Sequence, residues 1–229
     1  MIKIEKTRIS GIEEAIRGMR NPMNSWDKSD SAPIHIEDPE TYNTAAFDFL
    51  LGDEDKRLMV ALNAGGPSHS KYRRMMVVWC DITAPLYWWK EFDTYKVGTV
   101  ANSCSTMHKL TSRDLTMDDF SCEHLSKQQI DGRLFSPRAL LQTNISVINQ
   151  YRHDYMNAET DEEKKEAWWQ MIQLLPTSYN QKRTVMFNFE VLAKMYNERK
   201  GHKLDEWNDF CKWVETLEYA DLITGNETH

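Results

Sequence analysis

The sequence predicts an α+β fold in which a small sheet packs against several helices and the C-terminal half is rich in helix. Two apolar runs in the first half, at 2–9 and 75–82, have the alternating or β-branched composition of strands. After residue 137, apolar side chains recur at helical spacing. The 229-residue chain is 41% hydrophobic and 11% aromatic, which suffices to enclose a sizeable core.

Composition and charge exclude several classes of protein. Acidic residues outnumber basic ones, 35 to 28, so the chain lacks the basic footprint of a protein that binds a nucleic-acid polymer. It has no apolar run of transmembrane length and no signal-peptide pattern at its start, so we expect a cytoplasmic protein without a membrane partner. The four cysteines have no Cys-x-x-Cys spacing, so we expect no metal site.

The first part of the chain alternates strand-like and helix-like segments separated by Gly, Pro and Asn. The predicted elements are a strand at 2–9, a helix at 11–19 with Ser10 as N-cap, a surface loop at 20–39, a helix from Pro39 to Gly52 and a helix at 56–63 capped by Asp53 or Asp55.

The middle and the C-terminal half contain one more strand, then mostly helices. The predicted elements are a strand at 75–82, a helix at 86–93 with Trp88, Trp89 and Phe92 inward, and helices at 137–158, 161–174, 183–199 and 204–219. Residues 94–120 are polar and lack periodicity, and so long a loop is usually functional or disordered. With no repeat and no linker, residues 1–229 are expected to form a single domain.

A basic cluster, Lys71, Arg73 and Arg74, precedes the second strand. It has two interpretations, of which the first is the commoner: a solvated strand end, or an anion-binding site. The paired tryptophans at 88–89 and 168–169 are better explained as core or subunit contacts than as ring-stacking groups.

Residues 68–110 carry an ordered series of features: His69 in a turn, a strand, an Ala84-Pro85 step, a helix and then the segment Thr94-Tyr95-Lys96. This series resembles the flavin-dependent (ThyX-type) thymidylate synthases, in which a Gly-His-Glu-Ser/Thr turn, a strand, an Ala/Ser-Pro step and a helix lead to Arg-His-Arg, seven residues, serine, one residue and arginine. The spacing is kept without a gap. Thr94-Tyr95-Lys96 falls on Arg-His-Arg, Cys104 on the serine and Thr106 on the last arginine.

The second half agrees with this resemblance, which covers about residues 61–215. Asn188 follows Pro176 at the distance of an asparagine that binds flavin in the family, and Arg199 falls on the arginine that contacts the uracil ring. Glu206 and Trp207 lie near the start of the family's Gln-x-Glu helix.

The resemblance implies a ThyX-like fold, an FAD cofactor and an enzyme that methylates or otherwise modifies a dUMP-like pyrimidine nucleotide at C5. From the resemblance we also expect a folate methylene donor, NADPH as a further cofactor and a homotetrameric assembly. The residue roles that it implies are Cys104 as catalytic, His69, Tyr95, Lys96 and Asn188 as cofactor-binding, and Glu91, Thr106 and Arg199 as substrate-binding.

Several positions depart from the family pattern and make the chain a divergent member lacking most of the Arg-His-Arg-x7-Ser signature. The triplet keeps one cation, Lys96, and the two phosphate-side arginines fall on Thr106 and Ile172, which cannot hold a phosphate as an arginine does. A glutamine near the base falls on Glu91. An inactive ThyX-like protein that binds a nucleotide or another small molecule, and a protein that keeps only the scaffold, are therefore the alternatives.

Purely structural roles also stay open for individual residues. His69 could bond to backbone at the strand start, Tyr95 and Lys96 could belong to an exposed loop, and Cys104 could be a buried thiol, since no nearby group is expected to lower its pKa.

Overall fold

The structure is a computed structural model that describes residues 2–36, 46–129 and 135–225. Its mixture of helix and sheet confirms the α+β prediction. The strands are β1 (Lys3–Ser10), β2 (Ala32–Ile36), β3 (Ala46–Leu50), β4 (Val77–Pro85), β5 (Thr99–Ser103) and β6 (Asn180–Asn188). The helices are α1 (Ile12–Arg20), α2 (Asp53–Ala64), α3 (Leu86–Phe92), α4 (Thr106–Lys109), α5 (Pro137–Asn157), α6 (Asp161–Leu174), α7 (Phe189–Arg199), α8 (Asp205–Glu215) and α9 (Asp221–Thr224).

The main sheet has four antiparallel strands in the order β1-β4-β6-β5. The central strand β4 pairs with β6 from Val77 opposite Asn188 to Pro85 opposite Asn180. Side chains alternate across β4, so that Val78 is buried whereas Trp79 is 45% exposed. One face of the sheet therefore carries the core and the other is open.

The core on the buried face contains α3, as its apolar spacing predicts. Trp88, Trp89 and Phe92 are almost fully buried. The Trp88 ring lies 4.7 Å from the ring of Trp207 on α8. Aromatic packing of this kind fixes the relative positions of α3 and α8, and with them the groups at the end of α3.

A second apolar cluster lies between α5, α6 and the residues around α4. The helices α5 and α6 agree with the predictions, and a capping box at Thr160 and Glu163 begins α6. The buried members of the cluster are Leu110, Leu115, Phe120, Leu141, Ile145, Ile148, Met171 and Tyr179.

The helix predicted at 183–199 is wrong in its first part. Residues up to Asn188 form β6, and α7 begins at Phe189. Val185 and Phe187 alternate with exposed or half-buried neighbours, which is the strand period. The apolar residues of β6 continue directly into the apolar face of α7, so the sequence does not reveal the boundary between the strand and the helix.

The segment 94–120, predicted as a loop, contains β5 and α4. β5 pairs with β6 from Thr99 opposite Phe187 to Ser103 opposite Arg183. As an edge strand it exposes Val100, Ala101 and Asn102, so its sequence has no apolar face to recognise.

The segment after α1 also differs from the prediction. Ala32–Ile36 and Ala46–Leu50 pair as an antiparallel hairpin, where a loop and then a helix were predicted. Pro39, the predicted start of that helix, lies outside the described residues. The following helix, α2, begins earlier than predicted, with Gly52 as N-cap.

The N-cap of α1 is Gly11, not Ser10. Its φ of +86° is unfavourable for a residue with a Cβ, and a Cβ there would lie 2.2 Å from the Met75 carbonyl oxygen. Close approach of the chain to Met75 therefore requires glycine at this turn. In the described ranges, every helix is too short or too polar to cross a bilayer.

Candidate functional site

Three of the residues that the resemblance assigns to the site form one hydrogen-bonded cluster. Arg199, the last residue of α7, donates from Nη1 to Glu91 Oε2 over 2.8 Å and from Nε to Tyr95 Oη over 2.9 Å. Trp207 donates its indole N–H to the same Glu91 oxygen over 2.8 Å. Because α3, α7 and α8 all pack in the main core, these side chains meet where the helices converge.

The cluster is partly shielded from solvent. The Arg199 side chain is 18% exposed, and its guanidinium lies 4.7 Å from the Trp207 ring centroid and 5.4 Å from that of Tyr95. Tyr95 donates its own hydroxyl to Glu198 over 2.8 Å. Burial, together with this bond to Glu198, raises the pKa of Tyr95, so its phenol is neutral at physiological pH.

Tyr95 also lines an open cleft with a volume of about 590 Å³, called the α7 cleft below. A volume of this order is typical of sites for cofactors and other small molecules, which are about 300–1,000 Å³. The turn after α2, the residues before β5 and one side of α7 form its walls. The lining residues are Asn63, Gly66, Pro67, Ser70, Arg73, Thr94, Tyr95, Lys96, Val97, Glu190, Val191, Ala193, Lys194 and Asn197.

The α7 cleft is positively charged. Three of its residues are cationic, Arg73, Lys96 and Lys194, and one is anionic, Glu190. The Glu190 carboxylate accepts a 2.7 Å hydrogen bond from Arg74, whose charge offsets it. A cleft with this excess of cations attracts anionic ligands.

Cys104 and Thr106 line a different, smaller pocket of about 200 Å³, called the β6 pocket below. Gln181 donates from Nε2 to the Cys104 carbonyl oxygen over 3.0 Å and to Thr106 Oγ1 over 3.1 Å, which holds both residues against β6. Lys109 and Arg113 also line this pocket. The β6 pocket and the α7 cleft have no lining residue in common.

The sequence predicts that Asn188 lies inside a helix, but in the structure it does not. It ends β6 and caps α7, with its Oδ1 accepting a 2.9 Å hydrogen bond from the backbone N–H of Val191. Its carboxamide therefore already has a structural role that uses the oxygen.

His69 is exposed in the turn that follows α2, and its backbone N–H donates to the Gly66 carbonyl over 3.0 Å. Pro67 and Ser70 in the same turn line the α7 cleft. None of His69, Asn188 and Arg199 is among the described residues that line it.

Lys194 and Asn197 on α7 also line the cleft, and the sequence did not predict this because single polar residues on a helix are ordinary. Arg73 did give a signal, since the basic cluster before β4 had an anion site as one of its two interpretations.

Ile172, which falls on a phosphate-side arginine of the family, packs against the second apolar cluster. Its side chain therefore contributes to the packing of α6.

Comparison with known proteins supports the fold. No protein-family model and no curated protein sequence matches the chain. Among solved structures, the thymidylate synthase ThyX from Helicobacter pylori, determined with FAD and dUMP, matches with a TM-score of 0.61 at 15% identity over 98% of each chain. A UMP/dUMP methylase, PolB from Streptomyces cacaoi bound with 5-Br dUMP, matches with a TM-score of 0.55 at 14% identity over 94% of this chain and 89% of that one. These matches confirm the predicted ThyX-like fold.

Proposed function

We propose that this chain is a flavin-dependent enzyme that modifies a dUMP-like pyrimidine nucleotide at C5. The observation that carries the proposal is the α7 cleft, in which Tyr95 and Lys96 of the predicted cofactor segment lie beside further cations. The similarity of fold to an FAD- and dUMP-bound thymidylate synthase and to a UMP/dUMP methylase supports it.

The residues of the α7 cleft fit a flavin dinucleotide. Lys96 and Arg73 can pair with its phosphates, and Tyr95, which is 6% exposed, forms part of the wall beside them. One buried donor of the cleft, Arg73 Nε, lacks an acceptor in the described protein, as expected if a ligand alters its surroundings on binding. A bound flavin would supply the redox chemistry, and the protein would position it.

His69 and Asn188 are further proposed cofactor contacts, by resemblance, although neither lines the α7 cleft. For Asn188 the available group is the amide nitrogen, since the oxygen caps α7. The folate methylene donor and NADPH enter the proposal only through the resemblance.

The substrate would meet two sets of groups. Arg199 and Glu91 offer donors and an acceptor to a pyrimidine base, whereas Cys104 and Thr106 in the β6 pocket offer a thiol and a hydroxyl beside Lys109. Because Cys104 and Thr106 line the β6 pocket whereas Glu91 and Arg199 do not, we propose that a homotetramer brings these groups together across subunit boundaries.

A second function has an observation in its favour, namely binding without turnover. Arg199 is neutralised by Glu91, and the positions of the family's phosphate-side arginines are held by Thr106 and Ile172. Such a site would hold a nucleotide or a related small molecule more weakly at its phosphate end and would not activate C5.

The test is the visible absorbance spectrum of the purified protein, followed by release of tritium from C5-labelled dUMP. The proposed enzyme shows flavin bands, or gains them with added FAD, and releases tritium only when flavin is bound. Saturation at a hundred times Kd raises the free energy of unfolding by about 2.7 kcal/mol. Flavin or nucleotide binding without tritium release supports the second function, and a protein that binds neither contradicts both.

A further inference from the structure

Arg73 is a cation at the α7 cleft that forms no ion pair within 4 Å with any carboxylate of the described residues. It lies in the short 3-10 turn Lys71–Arg74, directly before β4. In the ranges that the structure describes, its one side-chain hydrogen bond runs from Nη2 to the Ile223 carbonyl oxygen at 3.4 Å, and its Nε is buried without an acceptor. A guanidinium has five N–H donors, so most of its hydrogen-bonding capacity is unused.

We propose that Arg73 anchors a phosphate or diphosphate group of the ligand in the α7 cleft. This inference rests on the proposed function and deepens it, since it assigns the cleft to the phosphate-bearing part of a flavin dinucleotide. Arg73 is then a specificity-determining residue that distinguishes phosphorylated from unphosphorylated flavins.

The neighbours of Arg73 explain why its charge remains available. The nearest acidic residue that lines the cleft, Glu190, is bonded to the adjacent Arg74 over 2.7 Å. Burial lowers the pKa of the Arg73 guanidinium from its ordinary value, although the nearby Glu190 carboxylate acts in the opposite direction. A partly buried cation whose nearest carboxylate is bonded to another arginine is stabilised by an anion that enters the cleft.

The rest of the cleft has the same sign of charge. Lys96 and Lys194 lie on its walls with Arg73, although the whole chain has a formal charge of −7. Lys194 is weakly paired, with its Nζ 4.0 Å from a Glu198 oxygen. A local excess of cations in an acidic protein indicates a ligand with more than one negative charge, as a diphosphate has at neutral pH.

A phosphate suits this arrangement better than a carboxylate. The planar guanidinium pairs with two phosphate oxygens at once, and the two lysines contact the others as point charges. Ser70 and Asn197 add neutral hydrogen-bonding groups on the walls.

The experiment compares FAD, riboflavin and inorganic pyrophosphate by calorimetry on the full chain and on Arg73→Met, Arg73→Lys and Arg57→Met. Arg57→Met is the matched control, because Arg57 is an exposed arginine of α2 that pairs with Glu54 and does not line the cleft. We expect wild-type protein to bind FAD at least tenfold more tightly than riboflavin, Arg73→Met to lose that preference, Arg73→Lys to keep part of it and Arg57→Met to keep it fully. Circular dichroism of each variant checks that it is folded.

The outcomes separate this inference from the proposed function. Equal affinities of wild-type protein for FAD and riboflavin overturn the role of Arg73 and leave flavin binding intact. Binding of pyrophosphate that depends on Arg73, without binding of either flavin, supports the phosphate site and contradicts the flavin enzyme. A folded Arg73→Met variant that keeps the full preference for FAD also overturns the inference, and Arg73→Lys provides the same comparison if Arg73→Met does not fold.

Discussion

Glu91 and Arg199 form an ion pair, 2.8 Å between Oε2 and Nη1, that joins the end of α3 to the end of α7. By resemblance, Arg199 is the residue that contacts the substrate base, and here Glu91 already binds its guanidinium. Trp207 bonds to the same carboxylate oxygen, so these two hydrogen bonds leave the second oxygen, Oε1, unused. A base that approaches Arg199 competes with a carboxylate of the protein itself.

Replacing Glu91 by Gln should therefore raise the affinity for dUMP. The variant removes the counter-charge but keeps a carbonyl acceptor for Trp207, and we expect about a tenfold gain, which corresponds to about 1.4 kcal/mol. Calorimetric titration with dUMP measures the change. Glu54→Gln, which breaks an exposed glutamate–arginine pair on α2, is the control and should leave affinity unchanged. Weaker binding in Glu91→Gln would show that the carboxylate, not Arg199, recognises the nucleotide.

Asn188 should show two separable roles. Asn188→Ala removes the N-cap of α7 and should lower the free energy of unfolding by about 1 kcal/mol. Asn188→Asp keeps the capping oxygen and should retain nearly all of that stability. If the amide nitrogen contacts the cofactor, Asn188→Asp nevertheless weakens FAD binding. Urea denaturation and FAD titration give the two readouts, and unchanged FAD affinity in both variants would restrict Asn188 to capping.

The four thiols should differ in reactivity. Burial raises the pKa of Cys80 to about 12 and that of Cys211 to about 11, which leaves very little thiolate at pH 8. Cys104 is half-buried and lines the β6 pocket. We expect iodoacetamide to label Cys104 well before Cys80 and Cys211, as measured by peptide mass spectrometry, and dUMP to slow that labelling. If dUMP slows the labelling of no thiol, the result argues against a nucleotide in the β6 pocket.

A buried ion pair between Arg20 and Asp55, 2.6 Å apart, should make stability depend on pH. Burial alone would raise the pKa of Asp55, but hydrogen bonds from Ser29, Ser31 and Arg20 outweigh it and lower that pKa. Because the folded-state pKa lies below the unfolded one, the stabilisation is present above about pH 3.9 and is lost as the pH falls through the folded value.

Asp55→Asn should accordingly lower the free energy of unfolding by about 3–5 kcal/mol at neutral pH, and by less in acid, where the wild-type carboxyl is also protonated. Urea denaturation of both proteins at neutral pH and at acidic pH measures the difference in the free energy of unfolding. Asp53→Asn, an exposed residue of the same helical turn, should have little effect. An equal deficit at both pH values would show that the loss does not come from the charge of Asp55.

Elements with local signals were predictable from the sequence. The helix at Pro137–Asn157 begins with a proline at its first position, and Asp161–Leu174 begins with a capping box, so both starts could be read directly. β5 could not be found in the same way, because an exposed edge strand such as Thr99–Ser103 has no apolar alternation.

The site was predictable only in part, for a physical reason. The resemblance identified Glu91, Tyr95 and Arg199, and the structure brings them together. It did not show that Glu91 binds Arg199, since the two are 108 positions apart and spacing within the chain carries no information about such a pair. The sequence showed that Arg73 belongs to a basic cluster. It could not show that Glu190 binds Arg74 and not Arg73, because that depends on where these side chains lie after folding.

The central claim is that the α7 cleft binds FAD, and equilibrium FAD titration of wild-type protein, Lys96→Met and Lys212→Met tests it most directly. Lys96 lines the cleft, whereas Lys212 is an exposed lysine of α8 paired with Asp209. The account predicts that wild-type protein and Lys212→Met bind FAD equally and that Lys96→Met binds it at least fivefold more weakly, about 1 kcal/mol. Failure of wild-type protein to bind FAD, or equal affinities in all three proteins, would contradict it.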